Sequence, residues 1–395
     1  MFMAMNNNAM FETLQLATNE MLGSEAIDNI SLEQIIETGR SWSEVEKEQW
    51  VGKLSARLID TKYVDREYTD KRNDVFYEDS AKFGAVTQLI TMEMPDVMEN
   101  RSWTQVTSGV TQIGQNTVYL PIVNEKLFAG TDSWAVSIAY TGTQLNSAFN
   151  SASELLQFNN YVKLMAENAI RYHKATMNGL NRNNYIAEKL HAGNSSGKIN
   201  VVNLVEEYQK DHGNVAMTQQ QFLSSPDCMR YAVKTFKKYK SLLMDMTTLF
   251  TTDPNSKGKF IPEDRFVFQV LSDFEGRMEA EVYSTTYHDE FVKMPLYRDV
   301  NAWQAITGAN VSADFETLSS IDITSANGSV VTRSGIVGVM LDKWAVMHTI
   351  VQNRVGYQRD DIKDISMYDY QFTSRYINNL TLNGLVFIVQ NYTPA

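Results

Sequence analysis
Apolar residues recur at steps of three and four through Leu155, Phe158, Val162, Met165, Ala169 and Tyr172, with Glu154, Lys163, Glu167 and Arg171 mostly off that line. Such spacing lays one apolar stripe along a helix. Ser151 with Glu154 three positions on forms a capping box, so the pattern predicts a helix from Ser151 to Leu190. Unbroken, it would run about 60 Å at 1.5 Å per residue. Asn178-Gly179 is suited to an earlier stop, because glycine costs about 1 kcal/mol inside a helix and suits a C-terminal cap. A helix this long with one oily side is a strut. The stripe is expected to be buried within the chain, with something laid along it.

Before the strut, the pattern is thinner. Residues 1–30 are rich in Met and Asn and weakly amphipathic from Met10 to Leu22. Ser31 with Gln34 caps a short helix through Leu32, Ile35 and Ile36, and Ser43 to Ile59 reads as a second. Asp60 to Asp79 mixes alternating charge with tyrosine and reads as an exposed arm. These pieces make no core of their own and are expected to run over a neighbouring subunit. Thr117–Val123 and Trp134–Tyr140 are strand-like, joined by a turn-bearing connection from Asn124 to Ser133. Pro121 demotes the first to an edge. The expectation is a two-stranded projection, marginal alone in water.

After the strut, Thr218–Leu249 reads as helix, Arg265–Leu271 as a buried strand, Ser272–Tyr283 as helix, and Phe315–Thr324 and Ser329–Thr332 as strands. Gly335–Leu341 is a core strand, Trp344–Tyr357 a further run, Arg359–Tyr370 a polar crossover, and Leu385–Val389 the last strand. No fixed-period repeat is visible.

Composition narrows the function more than the fold. A chain of 395 residues, 43% apolar and 21% charged, has room for two or three compact units. A net charge of −12 argues against an avid nucleic-acid binder. One cysteine, Cys228, forbids an internal disulfide and fits a reducing cytosol. The N-terminal stretch lacks the pattern of a secretory signal, and no apolar run is long enough to span a membrane. Nucleotide-binding glycine loops, zinc-binding histidine pairs and nucleophile elbows are all missing. His288-Asp289-Glu290 reads as a solvated turn, and the basic row Arg230, Lys234, Lys237, Lys238, Lys240 as a solvated helix face. No catalytic, cofactor or metal site is expected.

The order of parts carries more information than any motif. A charged arm leads to a long two-stranded loop, then to the capped helix SASELLQFNNYVKLMAENAIRYHKATMNGL, a mixed region, the strand GIVGVMLDK, the return QNRVGYQRDDIKDISMYDY and a last strand. This order resembles the major capsid proteins of tailed bacteriophages, the Hong Kong 97 fold, over roughly residues 75–395. The resemblance implies an α+β chain divided as N-terminal arm (1–75), extended-loop region (76–150), peripheral domain with the spine helix (151–192), axial domain (193–343), peripheral return (344–380) and a terminal axial strand (381–395).

It implies a shell subunit, not an enzyme, that forms pentamers and hexamers of an icosahedral head around double-stranded DNA. Assembly would be in the host bacterial cytoplasm, the destination the virion. Partners would be further copies of itself, with portal, scaffold and decoration proteins and weak, non-specific contact with packaged DNA. Some relatives cross-link a loop lysine to a peripheral asparagine with help from a glutamate. Lys126 at the loop tip and Asn353, Asn378 and Asn379 in the return segment would be the candidates here, but no glutamate follows Glu316. Burial and charge pairing would hold the shell instead. Contacts are expected from Lys126, Leu127 and Phe128 at the loop tip, and from Arg354, Arg359, Asp360, Asp361, Lys363 and Asp364 in the return. An encapsulin-like bacterial compartment and a soluble α/β enzyme are the alternatives.

Overall fold
The structure, a computed structural model, describes residues 7–22, 32–51, 74–78, 86–92, 123–141, 152–253, 256, 258–280, 294–304, 313–324, 330–360, 362–363 and 365–394. Side chains of the first turns of the long helix, through Lys163, lie outside that description. The chain is α+β, with two cores and one helix that runs between them.

Helices α1 (Asn7–Leu22), α2 (Leu32–Ser41) and α3 (44–51) come first. Short strands β1 (Tyr77–Glu78), β2 (Thr87–Met92) and β3 (Val123–Phe128) precede β4 (Asp132–Thr141). The long helix α4 spans Ala152–Ala192, 41 residues. Next come β5 (Val201–Asn203), α5 (Leu204–Asp211), α6 (Pro226–Met244), β6 (Phe266–Leu271), α7 (Ser272–Met278) and β7 (Arg298–Val300). The ribbon β8 (Ile321–Thr324) and β9 (Val330–Arg333) leads to β10 (Ile336–Asp342), β11 (Val346–Asp360), β12 (Ile365–Asn378) and β13 (Gly384–Ile388).

The larger core surrounds a mixed sheet in the order β5-β13-β10-β6-β7. Strands β10 and β13 are buried at every position, as expected of unbroken apolar runs covered on both faces. Helix α6 closes one side by setting Phe236 edge-on to Phe268 and Phe387, at 5.1 and 4.8 Å between ring centres. The sequence reads one helix over Thr218–Leu249. The structure has two, Gln219–Leu223 and α6, because Pro226 has no N–H to donate and opens a new first turn. Phe315–Leu318 is likewise helix rather than strand, since the Asp314 side chain accepts from the Thr317 amide and caps it.

The second core lies under a sheet in the order β1-β11-β12-β4. On β4, and on β12 as far as Ser374, even-numbered residues turn inward, and Ile138 and Tyr140 join Tyr368, Tyr370 and Phe372. Odd positions of β4, Ser133, Ala135, Ser137 and Ala139, face solvent. This one-sided alternation lets an antiparallel sheet hold a core on one face only. Against it pack Leu14 and Ala17 of α1, Ile35 and Ile36 of α2, and Trp50 and Val51 of α3. Trp50 Nε1 also donates to Thr18 Oγ1 at 3.0 Å. The N-terminal helices thus cover a sheet of their own chain, where the sequence alone suggests an extension over a neighbour.

Two further expectations change. Residues 359–370 are not a crossover but the turn and second strand of a long hairpin, β11 paired with β12 from Val346↔Asn378 to Asp360↔Ile365. The proposed pair of strands at 117–123 and 134–140 does not form among the described residues. Instead β4 joins β12, and the ribbon partner of β2 is β3, which occupies the stretch read as a connection. Residues 117–122 lie outside the described set.

Candidate assembly surface
Helix α4 continues through Asn178-Gly179 because its far half is tied down by polar side chains. Asn181 Nδ2 donates to the carbonyls of Met347 and Ile377 at 3.1 and 3.2 Å, locking the helix to β11 and β12. Arg182 and Asn183 both donate to the Trp303 carbonyl, at 3.1 and 2.6 Å, and the Arg182 guanidinium lies over the Trp303 ring. Lys189 donates to Asn200 Oδ1 and the Phe250 carbonyl at 3.1 and 3.0 Å. Burial, and secondarily the charge of Lys198, lower its pKa to about 7. These contacts outweigh the helix penalty of glycine.

That arrangement decides which way the apolar stripe points. The described part of the predicted stripe faces solvent: Met165 is 44% exposed, Tyr172 74%, and Ala169 between them is exposed. Thr176 and Leu180 extend the same line. The buried side is one step around the helix, at Ala166 and Ile170. The expectation of an internally buried stripe is therefore corrected for Met165, Ala169 and Tyr172, while Leu155, Phe158 and Val162 lie outside the described side chains.

The β2–β3 ribbon presents a second apolar surface. Register sets Gln88 opposite Leu127 and Ile90 opposite Glu125 on one face. On it Ile90 is 54% exposed and Leu127 63%. The other face carries Lys126 opposite Leu89 and Phe128 opposite Thr87, and Arg375 Nη1 donates to Thr87 Oγ1 at 2.6 Å. The Lys126 pKa is lowered by burial and by Lys259, against opposing pulls from Asp253 and Glu188. Lys126, Leu127 and Phe128 thus lie within a paired strand, not at a tip: Leu127 points out, and Phe128 is half-buried.

The other expected contacts gather at the hairpin turn, away from the ribbon. Arg359 pairs within the chain, with Glu48 of α3. Glu48 also accepts from Tyr357 Oη at 3.2 Å and from Ser366 Oγ at 3.4 Å. Asp360 Oδ1 accepts from the amides of Ile362 and Lys363, at 3.1 and 3.2 Å, and Lys363 Nζ lies 3.7 Å from Asp360. Arg354 is exposed on β11, and Asp361 and Asp364 fall outside the described residues. Among the proposed cross-link asparagines, Asn379 is buried and accepts from the Thr381 amide and hydroxyl. Glu48 and Ile362 escaped the sequence reading. Glu48 is more than 300 residues from its partners along the chain, and Ile362 is a lone apolar residue among charges.

The basic row on α6 is mostly neutralised in place. Arg230 pairs with Asp227 at 3.2 Å, Lys238 with Glu207 at 3.2 Å and Lys240 with Glu263 at 3.9 Å. Among the described residues, no group of three or more acidic, His or Cys side chains could hold a metal, and no helix is long and apolar enough to cross a membrane.

Comparison by overall shape gives distant likenesses. The chain is similar to phage capsids. A capsid structure of Staphylococcus phage Andhra shares 7% identity, with 80% of this chain and 83% of that one covered and a TM-score of 0.49. A structure of the head fibre and inner core protein of native bacteriophage P68 gives 9%, 80%, 83% and 0.47. The capsid of Cyanophage P-SCSP1u gives 11%, 80%, 86% and 0.45. No protein-family profile and no curated protein matches the sequence.

Proposed function
We propose that the chain is the major capsid protein of a tailed phage, a structural subunit of the Hong Kong 97 type whose copies form pentamers and hexamers of an icosahedral head. The observation that carries this reading is the outward apolar stripe of α4. Large apolar residues set in line on a rigid helix gain about 1.5–3 kcal/mol each on burial, and a neighbouring copy would supply that burial. The exposed face of the β2–β3 ribbon has the same need. Two exposed apolar surfaces on ordered elements favour assembly.

Such a head would be built in the host bacterial cytoplasm, enclose double-stranded DNA and end in the virion, with portal, scaffold or decoration proteins as its other partners. Leu127 and Arg354, both exposed, remain as contacts between copies; Arg359, engaged by Glu48, serves the subunit itself. The test is electron microscopy and sedimentation of the purified chain. Closed particles are expected, and a chain that stays monomeric at high concentration overturns the reading. Nuclease-protected DNA in particles from infected cells would distinguish a virus head from a bacterial compartment.

A further inference from the structure
Two of the five histidines, His173 of α4 and His348 of β11, lie in one seam between the long helix and the four-stranded sheet. The His173 ring rests on Trp134 of β4, with 4.3 Å between ring centres. Its Nε2 is buried and has no hydrogen-bond partner, so a proton bound there would meet no acceptor. His348 is held by Asn178 on one nitrogen and Ser374 on the other, between the rings of Tyr77 and Tyr376. Lys174, next along the helix from His173, sets its ammonium 4.6 Å from the centre of the same Tyr77 ring. Three side chains able to carry positive charge therefore share one seam. Among the described side chains, Asp132 of β4 is the carboxylate whose charge reaches it. Tyr77 of β1 and Tyr376 of β12 carry no charge between about pH 4 and 7.

We propose that this seam is an acid-released joint: with both histidines protonated beside Lys174, the middle of α4 parts from the sheet while the larger core stays folded. Burial, with Lys174 and His173, holds the His348 pKa at about 3, and burial lowers that of His173 against the pull of Asp132. In the packed seam both rings are neutral. Once released, each takes up a proton near its ordinary value of 6.5, so falling pH favours release. The larger core has no matching weakness. Residues 336–341 of β10 and all of β13 carry no ionisable side chain. Arg182 and Asn183, which tie the far part of α4 to the Trp303 carbonyl, do not titrate in this range. A segment can open by itself where its own contacts are the weak ones. The same seam fixes which side of α4 faces out, so release also unsets the row of Met165 and Tyr172.

Amide hydrogen exchange of the full chain, read by mass spectrometry at pH 7 and pH 4.5 and corrected for the intrinsic pH dependence of exchange, tests this. Peptides covering 165–180 and 365–378 are expected to lose about a hundredfold in protection, since each pH unit below the free value of one histidine is worth about tenfold. Peptides covering 336–341 and 384–388 are expected to keep theirs. Combining His173→Phe, which keeps a ring on Trp134, with His348→Gln, which keeps a neutral hydrogen-bonding side chain, should abolish the difference between the two pH values. If that pair does not fold, His173→Phe alone carries the readout, with a smaller loss than in the unaltered chain. Equal loss in both cores is global acid unfolding and overturns the proposal. So does full protection of the seam at pH 4.5, or an unchanged loss in the variants.

Discussion

His348 Nδ1 of β11 lies 2.6 Å from Asn178 Oδ1 of α4, and both side chains are buried. On the other side of the ring, Nε2 lies 3.0 Å from Ser374 Oγ, which accepts from Trp134 Nε1 at 2.9 Å. With Nδ1 donating and Nε2 accepting, the neutral imidazole satisfies every group in a chain from β4 through β12 and β11 to the long helix. The helix is thereby registered on the sheet whose other half carries the N-terminal helices.

This junction makes stability fall in acid. Burial, aided by the charges of Lys174 and His173, lowers the His348 pKa from its ordinary 6.5 to about 3. Tyr77 and Tyr376, the rings packed against it, bring no charge at these pH values. Between those two values the unfolded chain binds a proton that the folded chain refuses. The stabilisation is therefore complete above pH 6.5 and is lost as pH falls toward about 3. Denaturant melts across pH 3–7 are expected to show this slope. His348→Ala should flatten it and, by taking one hydrogen-bond partner each from Asn178 and Ser374, cost about 1–3 kcal/mol at neutral pH.

Tyr172→Asp places a charge on the outward stripe. Circular dichroism and melting temperature of the subunit should change little, because Tyr172 is 74% exposed, while particle yield falls sharply. Ala166→Asp, one step around the helix and fully buried, should instead lower the melting temperature. Equal effects on folding from both would contradict the assigned orientation of α4.

Glu48→Ala removes from a largely buried site the carboxylate that Arg359, Tyr357 and Ser366 share. Breaking a buried ion pair from one side costs about 3–5 kcal/mol. Limited proteolysis is expected to cut residues 1–51 much faster in the variant, because those helices lose their tie to the hairpin.

Gly335 has φ of +82°, and a Cβ there would press on the Val389 carbonyl. The Gly335 amide donates to Ser319 Oγ, and its carbonyl accepts from the Val389 amide at 2.7 Å. Gly335→Ala combines a left-handed backbone with a steric conflict, so the loss should exceed about 1 kcal/mol, read as a shifted urea midpoint with unchanged slope.

Free subunits should bind duplex DNA weakly near physiological salt. The net charge is −12, and three of the five basic side chains on α6 pair with local carboxylates. A gel-shift titration showing tight, salt-resistant retention would contradict this.

The sequence by itself determined the parts whose signal is local. The 41-residue helix, the buried runs of β10 and β13 and the existence of β4 follow from local pattern and residue type, because these set what a segment forms by itself. It also showed an apolar stripe on α4, but not its direction. Only the tertiary structure decided that, through Asn178, Asn181, Arg182, Asn183 and Lys189, polar residues whose burial depends on hydrogen-bonding partners brought from other parts of the chain. Strand partners were equally out of reach: β4 and β3 are three residues apart yet belong to different sheets, and nothing local to a strand names its neighbour. The same holds for Glu48, which looks like an ordinary helix glutamate until folding sets it beside Arg359. Pattern records what a residue's own segment can do; pairing across hundreds of residues is settled by the burial and hydrogen bonds of the whole chain at once.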